Sequence, residues 1–214
     1  MQAERYFGTY ARFDTLSKKD AATLLGADNL IGDVFEIVFQ TEDGVSTAWM
    51  KNRFGGLVGY FDPSFSRKLS VFAARGWNLR ALLSFVAFTD KPEPGHYWGQ
   101  AAVICYDPSL EQTLSPFIAS TASRLSDGVR PDVDLGEQAV EQLISSDGAW
   151  TPKKTVPFPS KESGTVIMKS HRKMSEKMIE QGRKGNKGCY VVSWLFLLLL
   201  IALVLFGLKS CGLF

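Results

Sequence analysis

The sequence predicts an α+β protein, in which a small, partly open antiparallel β-barrel with inserted and C-terminal helices is followed by one transmembrane helix. Short segments rich in β-branched and aromatic residues alternate with turn residues, as in an antiparallel meander. A proline-led helix interrupts these strands, and further helical segments follow them. An uncharged, apolar run of about 20 residues lies near the C-terminus, and this length is enough to cross a bilayer.

Charge and composition divide the chain into four predicted parts. Residues 1–150 form an acidic globular domain with 13 basic and 19 acidic side chains. Residues 151–188 form a basic, proline-containing linker and juxtamembrane segment with 10 basic and 3 acidic side chains. Residues 189–208 form the transmembrane helix, and residues 209–214 a short tail. With 45% apolar and 21% charged residues, the chain is neither collagen-like nor wholly disordered.

The first half of the domain predicts a short helix and then three antiparallel strands. Ser17 can cap this helix, and Gly26 ends it. The strands cover residues 33–40, 45–51 and 57–61, and turn residues separate them. Together they form a meander.

A second helix and two long strands complete the predicted barrel. Asp62 caps the helix, Pro63 occupies its first position and Gly76 ends it. The two strands, residues 78–90 and 100–107, alternate apolar side chains. Five antiparallel strands with one inserted helix fit a small, partly open barrel better than a layered parallel sheet.

The C-terminal half predicts helices and an extended linker. Ser115 caps one helix, and a second helix covers about residues 136–145. Three prolines within residues 151–165 favour an extended chain. Residues 166–181 have a helical pattern with one apolar face.

A Gly-Tyr pair ends a strand before a proline-led helix, and a glycine ends that helix before the next strand. The residues in these roles are Gly59, Tyr60, Pro63, Leu69 and Gly76, and Gly32 and Asp33 precede an early strand. Over about residues 33–107 this pattern resembles the HIRAN domain. The resemblance implies a small barrel, and some HIRAN domains bind single-stranded DNA ends. The family's Asn-Pro-Tyr-Asp-like loop, which belongs to that binding surface, is replaced here by the sequence TEDGV at 41–45.

The apolar run predicts a tail-anchored, single-pass membrane protein whose N-terminal domain is cytoplasmic. Basic residues crowd the N-terminal flank of the run, and only Lys209 follows it, so the positive-inside rule gives this orientation. The candidate contacts to anionic lipid head groups are Lys173, Lys177, Arg183, Lys184 and Lys187. The same charges also fit a passive, solvated spacer. Cys189, at the predicted boundary, is either palmitoylated or an unmodified thiol.

Two loops contain the candidate ligand-binding residues. One turn contains Lys51, Arg53 and Phe54, and the loop before the last strand contains His96, Tyr97 and Trp98. Exposed aromatic rings beside arginine can stack on bases or bind a peptide. Alternatively, Phe54 and Trp98 cover the ends of the barrel.

The sequence contains no recognisable catalytic motif, and no metal or cofactor motif. The predicted function is therefore a non-catalytic binding or adaptor module for a protein partner, held at the lipid bilayer by the tail. The alternative is a HIRAN-type nucleic-acid-binding protein tethered to a membrane. The acidic balance of residues 1–150 disfavours nucleic acid, because phosphate binding requires basic side chains.

Overall fold

The computed structural model describes residues 5–160, 163–177 and 195–201. Contacts divide the chain into two compact units, Met1–Arg172 and Lys173–Phe214. The strands of the first unit are β1 (Tyr6–Asp14), β2 (Val34–Glu42), β3 (Val45–Lys51), β4 (Leu57–Phe61), β5 (Asn78–Thr89), β6 (His96–Tyr106) and β7 (Thr165–Lys169). Its helices are α1 (Lys18–Leu25), α2 (Pro63–Ala74), α3 (Glu111–Ser126) and α4 (Glu137–Ser145).

Six of the strands close a barrel. The sheet order is β2-β3-β4-β1-β6-β5-β7. An additional antiparallel pairing of β2 with β5 closes the first six of these strands into a ring, and β7 lies outside the ring on β5. This pairing places Val34 opposite Leu82 and Glu36 opposite Arg80. The predicted barrel was partly open with five strands, so this part of the fold prediction is wrong: β1 supplies the sixth strand, and β2 closes the ring on β5.

Phe13 of β1 fills one end of the barrel interior, where two glycines make room for its ring. Phe13 is fully buried. A Cβ on Gly59 would lie 2.7 Å from the Phe13 ring, and one on Gly99 would lie 2.6 Å from it. Gly59 therefore has a packing role in this barrel.

Asp62 caps α2, as the sequence predicts. Its carboxylate accepts hydrogen bonds from the backbone N–H groups of Ser64 and Phe65, at 2.9 and 3.0 Å. The hydroxyl of Ser64 and the N–H of Phe65 hold the pKa of Asp62 below its usual range. By contrast, Ser115 does not begin a helix, because α3 already starts at Glu111, after a 3-10 turn over Pro108–Leu110.

Residues 165–172 belong to the first unit, where the sequence predicted a linker and then a helix. β7 pairs antiparallel with β5, with Thr165 opposite Thr89. The buried Lys169 ammonium donates to the Asn29 carbonyl at 2.8 Å, and the buried Arg172 guanidinium pairs with Asp33 at 3.0 Å. The helix predicted over residues 166–181 is thus wrong at its start, because strand pairing and these buried contacts override its helical pattern.

The predicted transmembrane helix over residues 189–208 is corrected by the structure. No helix within the described parts of the chain is long and apolar enough to cross a membrane. Residues 195–201 are helical. Residues 189–194 and 202–208, with Cys189, lie outside the described residues. The predictions of a tail anchor and of a single-pass localisation with a cytoplasmic domain depended on this helix, so they are corrected together with it.

Candidate ligand-binding surfaces

The β3–β4 turn is held rigidly by Asn52. This side chain is buried, and its Oδ1 accepts hydrogen bonds from the N–H groups of Phe54 and Gly56, at 3.0 and 2.9 Å. Its Nδ2 donates to Oδ1 of Asn29 at 3.2 Å. Gly55 has φ +83°, which other residues rarely adopt. The backbone that carries Arg53 and Phe54 is therefore held in one conformation.

A basic groove lies beside this turn, with a volume of about 550 Å³. Lys51, Arg53 and Arg80 line it together with one acidic residue, Glu36. Lys51 Nζ lies 2.6 Å from the Glu36 carboxylate, but the Lys51 side chain is half-buried and that of Glu36 exposed, and such surface pairs contribute little to stability. With three cations against one carboxylate, the groove is locally positive although residues 1–150 are acidic overall. We call these four residues and Phe54 the basic groove.

Phe54 places an exposed aromatic ring next to the groove, between the lining residues Arg53 and Gly55 in the turn. Its side chain is 64% exposed, and the Arg53 guanidinium carbon lies 4.8 Å from the ring centroid. An exposed ring of this kind loses little by accepting a planar partner on its open face. Phe54 does not cover the barrel end, which was the alternative interpretation of this residue.

Residues 96–98, the second set of predicted ligand contacts, are more buried than the turn at 51–54. Trp98 is buried, and its indole N–H donates to the Thr89 hydroxyl at 2.8 Å. The Arg12 guanidinium stacks on the Trp98 ring at 4.3 Å and lies 3.3 Å from the His96 ring nitrogen. Tyr97 packs on Phe88 with 4.7 Å between ring centroids. For Trp98, the interpretation as a covering residue fits better than that of a ligand contact.

The two predicted loops are not joined by a direct contact among the described residues. No hydrogen bond, ion pair or ring contact between described residues joins the turn at 51–54 to residues 96–98. The surface around Arg12 and Trp98 also has no excess positive charge, because the Arg12 guanidinium pairs with the Asp14 carboxylate at 3.2 Å. Of the two surfaces, the basic groove is the one suited to an anionic ligand.

Arg80 is the groove residue that the sequence analysis missed. It lies between Leu79 and Ala81, whose side chains are buried, so strand alternation alone could have placed Arg80 on the outside of β5. Its neighbours could not be predicted, because the pairing of β2 with β5 brings Glu36 opposite Arg80 across the closure of the barrel.

The predicted lipid-contact residues fall in the second unit. Lys173 and Lys177 are exposed, and the Lys173 amide donates to the Glu176 carboxylate at 2.9 Å. Arg183, Lys184 and Lys187 lie outside the described residues. The lipid contact and the protein partner stay predictions.

No family model, no curated protein and no solved structure matches this chain. The candidate surfaces therefore rest on their own geometry.

Proposed function

We propose that the barrel is a non-catalytic binding module for single-stranded nucleic acid, and that the basic groove contacts the strand. One observation carries this proposal: three cationic side chains line one groove beside an exposed phenylalanine. Proteins that bind single strands combine these two features, because cations attract the phosphates and aromatic faces stack on the bases. Some members of the HIRAN family, which the sequence resembles, bind the same class of ligand, but the loop they use is replaced here by TEDGV at 41–45, so the proposal depends on the groove and not on that loop.

The acidic balance of the domain limits where a strand can bind. Residues 1–150 contain 19 acidic and 13 basic side chains, so most of the surface repels phosphates. The basic groove is a local exception, with only the Glu36 carboxylate on its wall. Binding is therefore expected to be confined to a few nucleotides and to depend on salt.

The test measures fluorescence anisotropy of a labelled oligo-dT strand against the full chain. Three phosphate contacts in a single strand give a slope of log K against log salt of about −2. Affinity should therefore fall about 20-fold between about 50 and about 200 mM salt. Arg53→Gln and Arg80→Gln should each reduce the slope by about 0.7, because each removes one phosphate contact.

Phe54→Ala tests the stacking contact separately from charge. Removing the phenylalanine ring should weaken binding by about 1–3 kcal/mol without changing the dependence of affinity on salt. Arg67→Gln is the matched control, since Arg67 is exposed on α2 and does not line the groove. Arg12→Gln tests the other surface and should also bind like wild type. Binding that is independent of salt, or that survives all three groove substitutions, would reject the proposal.

A further inference from the structure

A second surface pocket is formed where two segments cross the outside of the barrel. Residues 130–134 lie beside residues 154–157: the Val156 N–H donates to the Arg130 carbonyl at 2.8 Å, and the Asp132 N–H to the Lys154 carbonyl at 3.0 Å. The Tyr10 hydroxyl of β1 donates to the Pro131 carbonyl at 2.8 Å. These contacts fix the backbone on both sides of Arg130.

Arg130 is buried within this crossing, with 3% of its surface exposed. Its two terminal nitrogens donate to the Pro157 carbonyl at 2.7 Å and to Oε1 of Gln100 at 2.6 Å. Its guanidinium carbon lies 4.4 Å from the Tyr10 ring centroid and 5.0 Å from that of Phe158. All of these partners are neutral.

Among the described residues, no carboxylate pairs with Arg130. The ion pairs of the first unit lie elsewhere, and the nearest acidic neighbour in sequence, Asp132, is paired with Lys154 at 2.8 Å. The Nε–H of Arg130 is also buried and makes no hydrogen bond. Burial lowers the pKa of this guanidinium, which shows the cost of holding the charge out of water. Buried charges in proteins are normally paired, and no described side chain gives Arg130 an anionic partner.

The space for an anion is a pocket of about 420 Å³ beside Arg130. Its walls include Tyr10, Gln100, Pro157, the exposed Asp134 and the Asp132–Lys154 ion pair. Burial raises the pKa of Tyr10 to about 12, so this phenol stays neutral at neutral pH. A doubly charged phosphate would be repelled by the nearby aspartates, whereas a carboxylate has one charge and fits the planar guanidinium.

We propose that this pocket binds a carboxylate group, with Arg130 as its counter-ion and the proline and tyrosine walls contacting the rest of the ligand. Such a carboxylate belongs either to a small organic acid or to the C-terminus of a peptide. The site is separate from the basic groove, so its test does not depend on the proposed function.

The experiment titrates the full chain with two carboxylate probes, each beside its amide. The probes are benzoate with benzamide, and the N-acetylated peptide Ala-Ala-Leu with its C-terminal amide; inorganic phosphate is the third anion. By calorimetry, at least one carboxylate should bind about 10- to 100-fold more tightly than its amide, because a hydrogen bond to a charged group is lost in the amide. Tighter binding of benzoate identifies a small acid, and tighter binding of the peptide identifies a chain terminus.

Two variants test the role of Arg130. Arg130→Met should weaken carboxylate binding at least 10-fold. Because this variant could also unfold, Asp134→Asn provides an independent test: Asp134 is exposed, and removing its charge should strengthen binding about two-fold. Arg67→Met, a control outside the pocket, should bind like wild type.

Several results would overturn the carboxylate site. These are equal binding of acid and amide, tighter binding of phosphate than of either carboxylate, unchanged affinity in folded Arg130→Met, and unchanged or weaker affinity in Asp134→Asn.

Discussion

Gly8 allows a backbone crossing that holds the Arg130 pocket together, and we expect Gly8→Ala to disrupt it. A Cβ at this position in β1 would lie 1.9 Å from the Val133 carbonyl oxygen and 2.9 Å from its carbon. Ordinary contact begins near 3.4 Å, so the carbonyl would have to move by roughly 1.5 Å. The contact is with backbone, and a rotamer change cannot relieve it.

The expected loss of stability follows from what this movement breaks. The buried Tyr6 hydroxyl donates to the same Val133 carbonyl at 2.9 Å, and its loss costs about 1–3 kcal/mol because the hydroxyl stays buried. Overpacking adds about 1–3 kcal/mol. Alanine recovers up to about 1 kcal/mol, because glycine loses more chain entropy on folding. The free energy of unfolding should therefore fall by about 1–6 kcal/mol.

Urea unfolding followed by circular dichroism measures this change, with Gly136→Ala as the control. Gly136 is the N-cap of α4 with φ −71°, and an added Cβ there has no neighbour within 4 Å, so the control should lose no more than about 1 kcal/mol, the cost of alanine at an N-cap. A Gly8→Ala midpoint equal to that of the control would refute the reasoning. Tyr6→Phe gives a second check: it should cost less in the Gly8→Ala background than in wild type, since the shared hydrogen bond is already broken.

Three other predictions concern the cap of α2, the buried thiol and the segment after β7. Asp62→Ala should lower stability by about 1 kcal/mol at pH 7. The folded-state pKa of Asp62 is lowered, so the stability that its carboxylate contributes is present above about pH 4 and is lost as the pH falls through the folded-state pKa. Urea titrations at several pH values measure this dependence, and the control Asp62→Asn should not show it. Burial raises the pKa of the Cys105 thiol to about 12. In a variant whose other two cysteines are serine, a disulfide reagent at pH 8 should therefore label Cys105 only after unfolding. Fast labelling of the folded chain would contradict this prediction. Arg172→Met should destabilise the chain by about 3 kcal/mol, because it breaks the buried ion pair with Asp33. The control Lys173→Met, at an exposed neighbouring position, should leave stability unchanged. Equal urea midpoints for the two variants would show that the segment after β7 is not part of the fold.

Local sequence patterns predicted the elements whose contacts are local. β2, β3 and β4 follow one another through short turns, so their alternation and turn residues are sufficient. The cap at Asp62 is also local, and the structure shows it with its hydrogen bonds in place.

The missed elements depend on partners that are distant in sequence. β1 was not predicted, because Gly8 interrupts its apolar pattern, and the reason for this glycine is a carbonyl at Val133. β7 has a helical pattern in sequence but is held as a strand by β5. The basic groove was predicted in part: Lys51, Arg53 and Phe54 lie together on one turn, whereas Arg80 reaches them only through the closure of the barrel.

The two proposed sites differ in how they should respond to salt, and this difference separates them in one protein. A single strand in the basic groove releases several counter-ions, so its affinity should fall steeply with salt, with a slope of about −2. A carboxylate beside Arg130 is one charge held against a residue that exposes only 3% of its surface, and ions in solution screen a buried pair weakly. Raising salt from about 50 to about 200 mM should therefore weaken oligo-dT binding about 20-fold and carboxylate binding much less. If both ligands lost affinity in parallel, they would be binding the same exposed charges, and the assignment of two separate sites would be wrong.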